Sequence, residues 1–272
     1  MALSTHTYKS REFESPRMEL AEFSARLDEE LRTADYADID ASANGLQVGP
    51  AEGELEHVAF AVDGVAETIE GAIDAGADAL VVHHGISWGG FDRVTGRKYE
   101  RIAPLIENDV ALYVSHLPLD GHQDHGNAAG VADVLGLENR SPFGELGPEY
   151  IGQRGTALES FSLESVCDRL ESELDTGDRQ VRGLGFGPEE ISEVAIVTGS
   201  GTDWLEDAVD AGVDAFVTGE GKQKVYHEAQ EAGINVVLAG HYATETFGVQ
   251  SLQELVEEWG LETTYLDVPT GL

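Results

Sequence analysis

The stretch ALVVHHG, residues 79–85, is a continuous apolar run that stops at two adjacent histidines and a glycine. A short run of this kind reads as a central strand buried on both faces, as in a parallel sheet covered by helices. The neighbouring segments agree. HVAFAVD (57–63) alternates as a strand, and AETIEGAIDAGAD (66–78) has helical spacing with Gly76 marking its end. Downstream, KYERIAPLIEND (98–109) is a helix, VALYVSH (110–116) a second buried strand and GNAAGVADVLGL (126–137) a helix. From 194 the order recurs: strand VAIVTGSG, helix DWLEDAVDAG, strand AFVTGEG, helix KVYHEAQEAG, strand NVVLAGH, helix ATETFGVQSLQELVEEWG, strand TTYLDV. Strands alternating with helices imply βαβ units, an α/β fold and a largely parallel sheet.

The recurrence extends to residue identities. IEGAIDAGADALVVHHG (69–85) aligns with LEDAVDAGVDAFVTGEG (205–221) at an offset of 136, with nine of 17 positions identical. ALYVSHLPLD (111–120) aligns with VVLAGHYATE (236–245) at an offset of 125, which sets His116 over His241 and Asp120 over Glu245. Such a duplication predicts two similar, interlocked α/β lobes, with strand ends converging on one cleft. The expected organisation is a loose polar segment at 1–17, a first lobe at 18–137, a middle segment of open placement at 138–190, and a second lobe at 191–272. Apolar positions from Met18 to Leu31 predict the first helix. In the middle segment, RGTALESFSLESVCDRLESEL predicts a strand and a helix, followed by a Gly-rich charged stretch at 176–190.

Composition narrows the function classes. The 272 residues include 52 acidic and only 16 basic side chains, a formal net charge of −36. That balance argues against nucleic-acid binding, which needs a basic surface to displace counterions. In dilute buffer such a chain repels itself. In concentrated salt the Debye length falls to about 3 Å, so the acid excess reads as adaptation to a salt-rich cytoplasm. No run of about 18 apolar residues is present, so no membrane helix is expected. Residues 1–17 lack the apolar core of a leader peptide, and the expected location is cytoplasmic. The single cysteine, Cys167, lies on the apolar stripe of a helix, so a metal would need nitrogen and oxygen ligands.

Those donors gather at strand ends. His83 and His84 close one strand, His116 and Asp120 follow the next, and His241 and Glu245 follow the matching strand of the second half. His241 and Glu245, four apart, share one face if a helix begins there. Side chains adjacent on a strand point to opposite faces, so His83 and His84 reach one site only where the strand ends and turns at Gly85. Imidazole and carboxylate together suit Zn, Fe, Mn, Co or Ni better than Ca or Mg. Five donors exceed one tetrahedral ion, so two divalent ions sharing a carboxylate fit the count. His116, His122 and His125 could orient a ligand or shuttle a proton, or be solvated loop residues. His116 and Glu220, the latter at the repeat position of His84, are the candidate catalytic groups. GSG at 199–201 is a phosphate cradle or a plain tight turn. Trp88 could stack a base beside the site or pack at a subunit interface.

The segments VVHHGISWGG, SHLPLDGHQDHGNAA, TGEG and AGHYATETFGV, with NGLQVG before them, resemble the Nif-three-like dinuclear metal-centre family, also called GTP cyclohydrolase 1 type 2 homologues. The resemblance spans about residues 40–270. It implies that His83, His84, Asp120, His241 and Glu245 are the metal ligands, with Glu245 bridging two ions. It further implies a homo-hexamer, a nucleotide substrate and GTP cyclohydrolase-like opening of a purine imidazole ring. Hydroxide formed at the metal pair would attack an electron-poor carbon. The alternatives are a non-catalytic metal-binding scaffold and a phosphoester hydrolase using the same metals. Tyr242, Gly221–Gln223 and the final LDVPTGL depart from the family pattern without touching an implied ligand.

Overall fold

The computed structural model describes residues 17–272 apart from Ala51 and Asp178. The expected loose segment therefore lies, up to residue 16, outside the described residues. The chain runs β1 (Met18–Glu19), α1 (Leu20–Glu30), β2 (Gly45–Val48), β3 (Glu54–Leu55), β4 (His57–Asp63), α2 (Ala66–Asp74), β5 (Ala79–His84), α3 (Arg97–Glu107) and β6 (Ala111–Val114). Next come α4 (Leu117–Gly121), α5 (Asn127–Leu135), β7 (Leu137–Leu146), β8 (Glu149–Phe161), α6 (Leu163–Glu173) and β9 (Arg182–Leu184). The remainder is β10 (Ile191–Ile196), α7 (Leu205–Asp210), β11 (Ala215–Thr218), α8 (Lys224–Ala232), β12 (Asn235–Leu238), α9 (His241–Thr244), α10 (Thr246–Glu258) and β13 (Glu262–Tyr265).

The fold is α/β, with two main sheets. One has the order β13-β4-β5-β6-β2, the other β7-β8-β10-β11-β12-β9. Each contains a parallel core, β4-β5-β6 or β10-β11-β12, with an antiparallel strand beside its last member. Strand alternation sorts the core by face. Val58, Phe60 and Val62 of β4 pack with Phe23 and Leu27 of α1 and Leu252 and Val256 of α10. Ala59 and Ala61 pack on the other side with Ile69 and Ala72 of α2 and Leu105 of α3. In the second sheet Val194, Ile196 and Val217 pack with α5 and α6, whereas Ala195 and Phe216 pack with α7 and α8. Burying each such side chain contributes about 1.5–3 kcal/mol of transfer free energy for those larger than alanine.

The two parallel cores also share a detail at the repeat positions Asp78 and Asp214. Asp78 Oδ2 accepts from the backbone N–H groups of Glu56 and His57, at 2.8 and 3.0 Å. Asp214 Oδ2 accepts from those of Ser192 and Glu193, both at 2.9 Å. Each aspartate thereby holds the chain entering β4 or β10.

Three expectations need correction. The final strand belongs to the first sheet, where β13 pairs in parallel with β4, so the second lobe does not run to 272. The preceding helix α10 carries Val249, Leu252 and Val256 to the first sheet, because its apolar stripe matches the Phe60 face. Conversely α5, assigned to the first lobe by chain order, packs Val131, Ala132 and Leu135 against the second sheet. The middle segment belongs to that sheet as well: β7 and β8 form a long antiparallel pair at its edge, and β9 joins β12. At the other end, Met18–Glu19 pairs with Glu54–Leu55, and the first helix starts at Leu20. Among the described residues no helix is long and apolar enough to cross a membrane.

Candidate metal centre

The carboxyl end of β5 delivers His83 and His84, α4 delivers Asp120, and α9 with the residue after it delivers His241 and Glu245. The five groups meet. The donor atoms of His83, Asp120 and Glu245 lie within 4.8 Å of one another, as do those of His84, His241 and Glu245. Glu245 is common to both trios and uses different oxygens. Its Oε1 lies 3.7 Å from His83 Nε2, whereas its Oε2 lies 3.4 Å from His84 Nε2 and 3.2 Å from His241 Nε2. Asp120 Oδ1 is 3.6 Å from His83 Nε2. The adjacent histidines leave the strand on opposite sides, yet their rings, 4.6 Å apart, both reach the carboxylate beyond its end.

The outer nitrogens explain this orientation. His83 Nδ1 donates to the carbonyl of Ser115 at 2.9 Å, His84 Nδ1 to Asp63 at 2.9 Å, and His241 Nδ1 to Glu220 at 3.1 Å. Carbonyls and carboxylates only accept, so each Nδ1 carries a proton, and Nε2 is the atom left facing inward, with a lone pair for a cation once its own proton is gone. Asp120 is held in turn by Asn127 Nδ2, which donates to its Oδ1 at 2.8 Å, and by the Thr198 hydroxyl at 3.3 Å.

Burial makes the cluster costly without a cation. His83 is fully buried and Glu245 nearly so. His83 Nε2 and Glu245 Oε2 lack a hydrogen-bond partner inside the protein, and buried unpaired polar atoms are destabilising. Burial pulls the His83 imidazole down, but Asp120 and Glu245 outweigh it and raise the group to about 9. His241 is likewise opposed by burial and raised to about 9 by Glu245 and Glu220. Burial would raise Glu245, but His83, His241 and His84 pull it well below the usual carboxylate range. Protons on His83 and His241 thus supply the positive charge that a metal would bring to the centre. The donor set fits a divalent ion.

The other candidates divide. His116 joins the cluster, its donor atoms within 4.8 Å of those of His83 and His84. Its Nδ1 donates to Asp40 Oδ1 at 2.9 Å, and buried Asp40 also accepts from Ser42 N, Asn44 Nδ2 and Leu117 N. Glu220 supports His241 and accepts from the Ser200 hydroxyl. His122 and His125 turn elsewhere: His122 Nδ1 accepts from the N–H of His125 at 2.9 Å, and His125 Nδ1 bonds Ser251 at 2.7 Å. GSG is a packing turn. Gly199 has φ +59°, and a Cβ there would collide with Glu245 Oε1. Gly85 does not serve backbone freedom as expected; a Cβ there would collide with Gln47, whose Oε1 accepts from Ile86 N and Ser87 N. Asp40, Asp63, Asn127 and Thr198 escape a reading by residue type. Asp63 alone carried a signal, ending β4 in register with His84 on β5.

A model of the Duf34/NIF3 (NGG1p interacting factor 3) family matches residues 18–270. The chain belongs to the DUF34/NIF3 family. A protein of Halobacterium salinarum named GTP cyclohydrolase 1 type 2 homolog is 54% identical over 255 residues, covering 94% of this chain and 100% of the relative. An Escherichia coli protein of the same name is 36% identical over 260 residues, 93% and 99% of the two chains. Among solved structures, the protein ybgI, described as of unknown function, superposes with a TM-score of 0.84 at 33% identity, covering 94% and 100%. The protein TTHA1606 from Thermus thermophilus gives 0.81 at 36% identity with the same coverage.

Proposed function

We propose that this DUF34/NIF3 protein is a dinuclear-metal-dependent hydrolase that opens the imidazole ring of a purine nucleotide. In this reading His83, Asp120 and Glu245 hold one ion, and His84, His241 and Glu245 hold the other. The observation that carries it is Glu245, buried between two histidine groups with one oxygen turned to each. The naming of the relatives as GTP cyclohydrolase 1 type 2 homologs supports the reaction class. Nitrogen and oxygen donors favour Zn, Fe, Mn, Co or Ni.

A bound pair of divalent ions supplies a water acidic enough to ionise near neutral pH and positive charge for a developing oxyanion. The chain does the rest. Ser115, Asp63 and Glu220 hold the three ligand imidazoles in the tautomer that binds. Asn127 and Thr198 fix Asp120. His116, held on Nδ1 by Asp40, turns Nε2 toward the centre and is the group placed to carry a proton. Glu220, touching His241, positions that ligand. The phosphoester alternative is less favoured, because the Gly199 and Gly201 N–H groups of its suggested cradle donate to the Thr244 and Thr218 hydroxyls.

Metal analysis tests the centre. Protein purified in concentrated salt without chelator is expected to hold about two ions per chain, and a His241→Ala/Glu245→Ala variant to lose them. The loaded protein is then incubated with purine nucleotides while the purine absorbance is followed. Failure to bind metal stoichiometrically, even with added Mn, Fe or Zn, sinks the centre. Stoichiometric metal with every purine left intact sinks the hydrolase and favours the scaffold.

A further inference from the structure

The residues after Trp88 stand apart from the rest of this acidic chain. Residues 88–101, WGGFDRVTGRKYER, hold four of the 16 basic residues and two of the 52 acidic ones, a local charge of 4 − 2 = +2 against −36 overall. Residues 88–100 are all exposed. Elsewhere Arg17, Arg26, Arg32, Arg140, Lys222 and Lys224 each pair with a carboxylate. Among the described residues Arg93, Arg97 and Arg101 form no salt bridge; Arg154, Arg169, Arg179 and Arg182 form none either, so what sets 88–101 apart is four cations gathered in one exposed segment that begins at Trp88. Lys98 instead lies 4.6 Å over the ring of Phe91.

The segment starts at the metal centre. The Trp88 ring lies 4.9 Å from that of His116 and 6.1 Å from that of His84. Its indole N–H donates to Gly85 O at 3.1 Å, yet the side chain remains 46% exposed. An aromatic surface that is anchored and open beside a site is a stacking platform, because every heteroaromatic ring has a π-face to match it. A phosphate approaching a protein of this charge needs a local cation. In concentrated salt, where screening cuts interactions to about 3 Å, only cations in direct contact count. Unpaired guanidinium groups provide forked donors matched to phosphate oxygens.

We propose that Trp88 with Arg93, Arg97 and Arg101 forms the recognition arm for a substrate joining a planar aromatic ring to a phosphate. The ring lies on Trp88 and the phosphate on the arginines. The proposal rests on the purine-nucleotide reading above, and names the residues that would select that substrate.

Equilibrium binding to the metal-loaded full chain in concentrated KCl tests it, with guanosine, guanosine monophosphate and inorganic phosphate as probes. The variants are Trp88→Ala and the triple Arg93→Gln/Arg97→Gln/Arg101→Gln, with metal content measured in each. The parent is expected to bind the monophosphate at least about tenfold more tightly than guanosine. The triple variant should lose that difference while binding guanosine as the parent does. Trp88→Ala should weaken both by about tenfold with metal content unchanged. Equal affinity of the parent for guanosine and its monophosphate overturns the proposal. So does a triple variant that keeps the phosphate preference, which would place the phosphate on the metals. A triple variant that changes only the oligomeric mass overturns it in favour of a subunit contact. Preference for a single-stranded RNA oligomer over the monophosphate overturns it in favour of a nucleic-acid surface. The expected binding without ring opening upholds the arm and removes only the hydrolase reading.

Discussion

At the residue scale, Glu245 decides the chemistry. A carboxylate buried among three imidazoles needs positive charge, and in the metal-free protein protons on His83 and His241 provide it. Both groups rise from 6.5 in the unfolded chain to about 9 in the folded one. A raised folded value stabilises fully below the unfolded value and is lost as pH climbs through the folded value. The melting temperature of chelator-treated protein should therefore fall between about pH 6.5 and 9. Metal-loaded protein should not show that fall, since the ions replace the protons. Thermal melts of the two forms across this range check the point; parallel curves would show that the centre does not carry protons in place of metal. The five donors are legible in the sequence because histidines and acids at strand ends are unusual. Most of their supports are not, because Asp40, Asn127 and the Ser115 carbonyl have no distinguishing residue chemistry.

At the scale of elements, the parallel cores are bound at their entrances by Asp78 and Asp214, each accepting two backbone N–H groups. Removing a buried or half-buried acceptor leaves both donors without a protein partner. Asp78→Ala and Asp214→Ala should each cost about 1–3 kcal/mol in denaturant unfolding, with the metal content of the folded protein retained. A cost below a few tenths of a kcal/mol in both would show that water replaces the carboxylate. The AGADA and AGVDA motifs made these positions visible as a repeat. The strands β5 and β6 were visible too as apolar runs that bury both faces, β4 as an alternating strand, and β10, β11 and β12 through the recurring strand–helix order. The second half of β8 was visible as the strand before α6, whereas β7, the first half of β8 and β9 were not: these half-exposed, charged strands carry no clean period, and pairing across the sheet holds them.

For the whole molecule, charge is the dominant property. With 52 acids against 16 bases, surface carboxylates repel one another unless salt screens them. The melting temperature should rise steeply as KCl is raised from dilute to molar concentration. A flat response would mean that the acid excess is neutral for stability, and would remove the salt-adaptation reading.

Residue chemistry and local periodicity alone determined the α/β class, the position of most helices and strands, and the donors that gather at one centre. These are local properties, readable within a few turns of chain. Only the tertiary structure decided that α10 and β13 return to the first sheet while α5 crosses to the second. It also decided that Glu245 turns one oxygen to each group of histidines. Such choices depend on which apolar faces fit across long stretches of chain and on which buried polar atoms then find partners. No single segment carries that information.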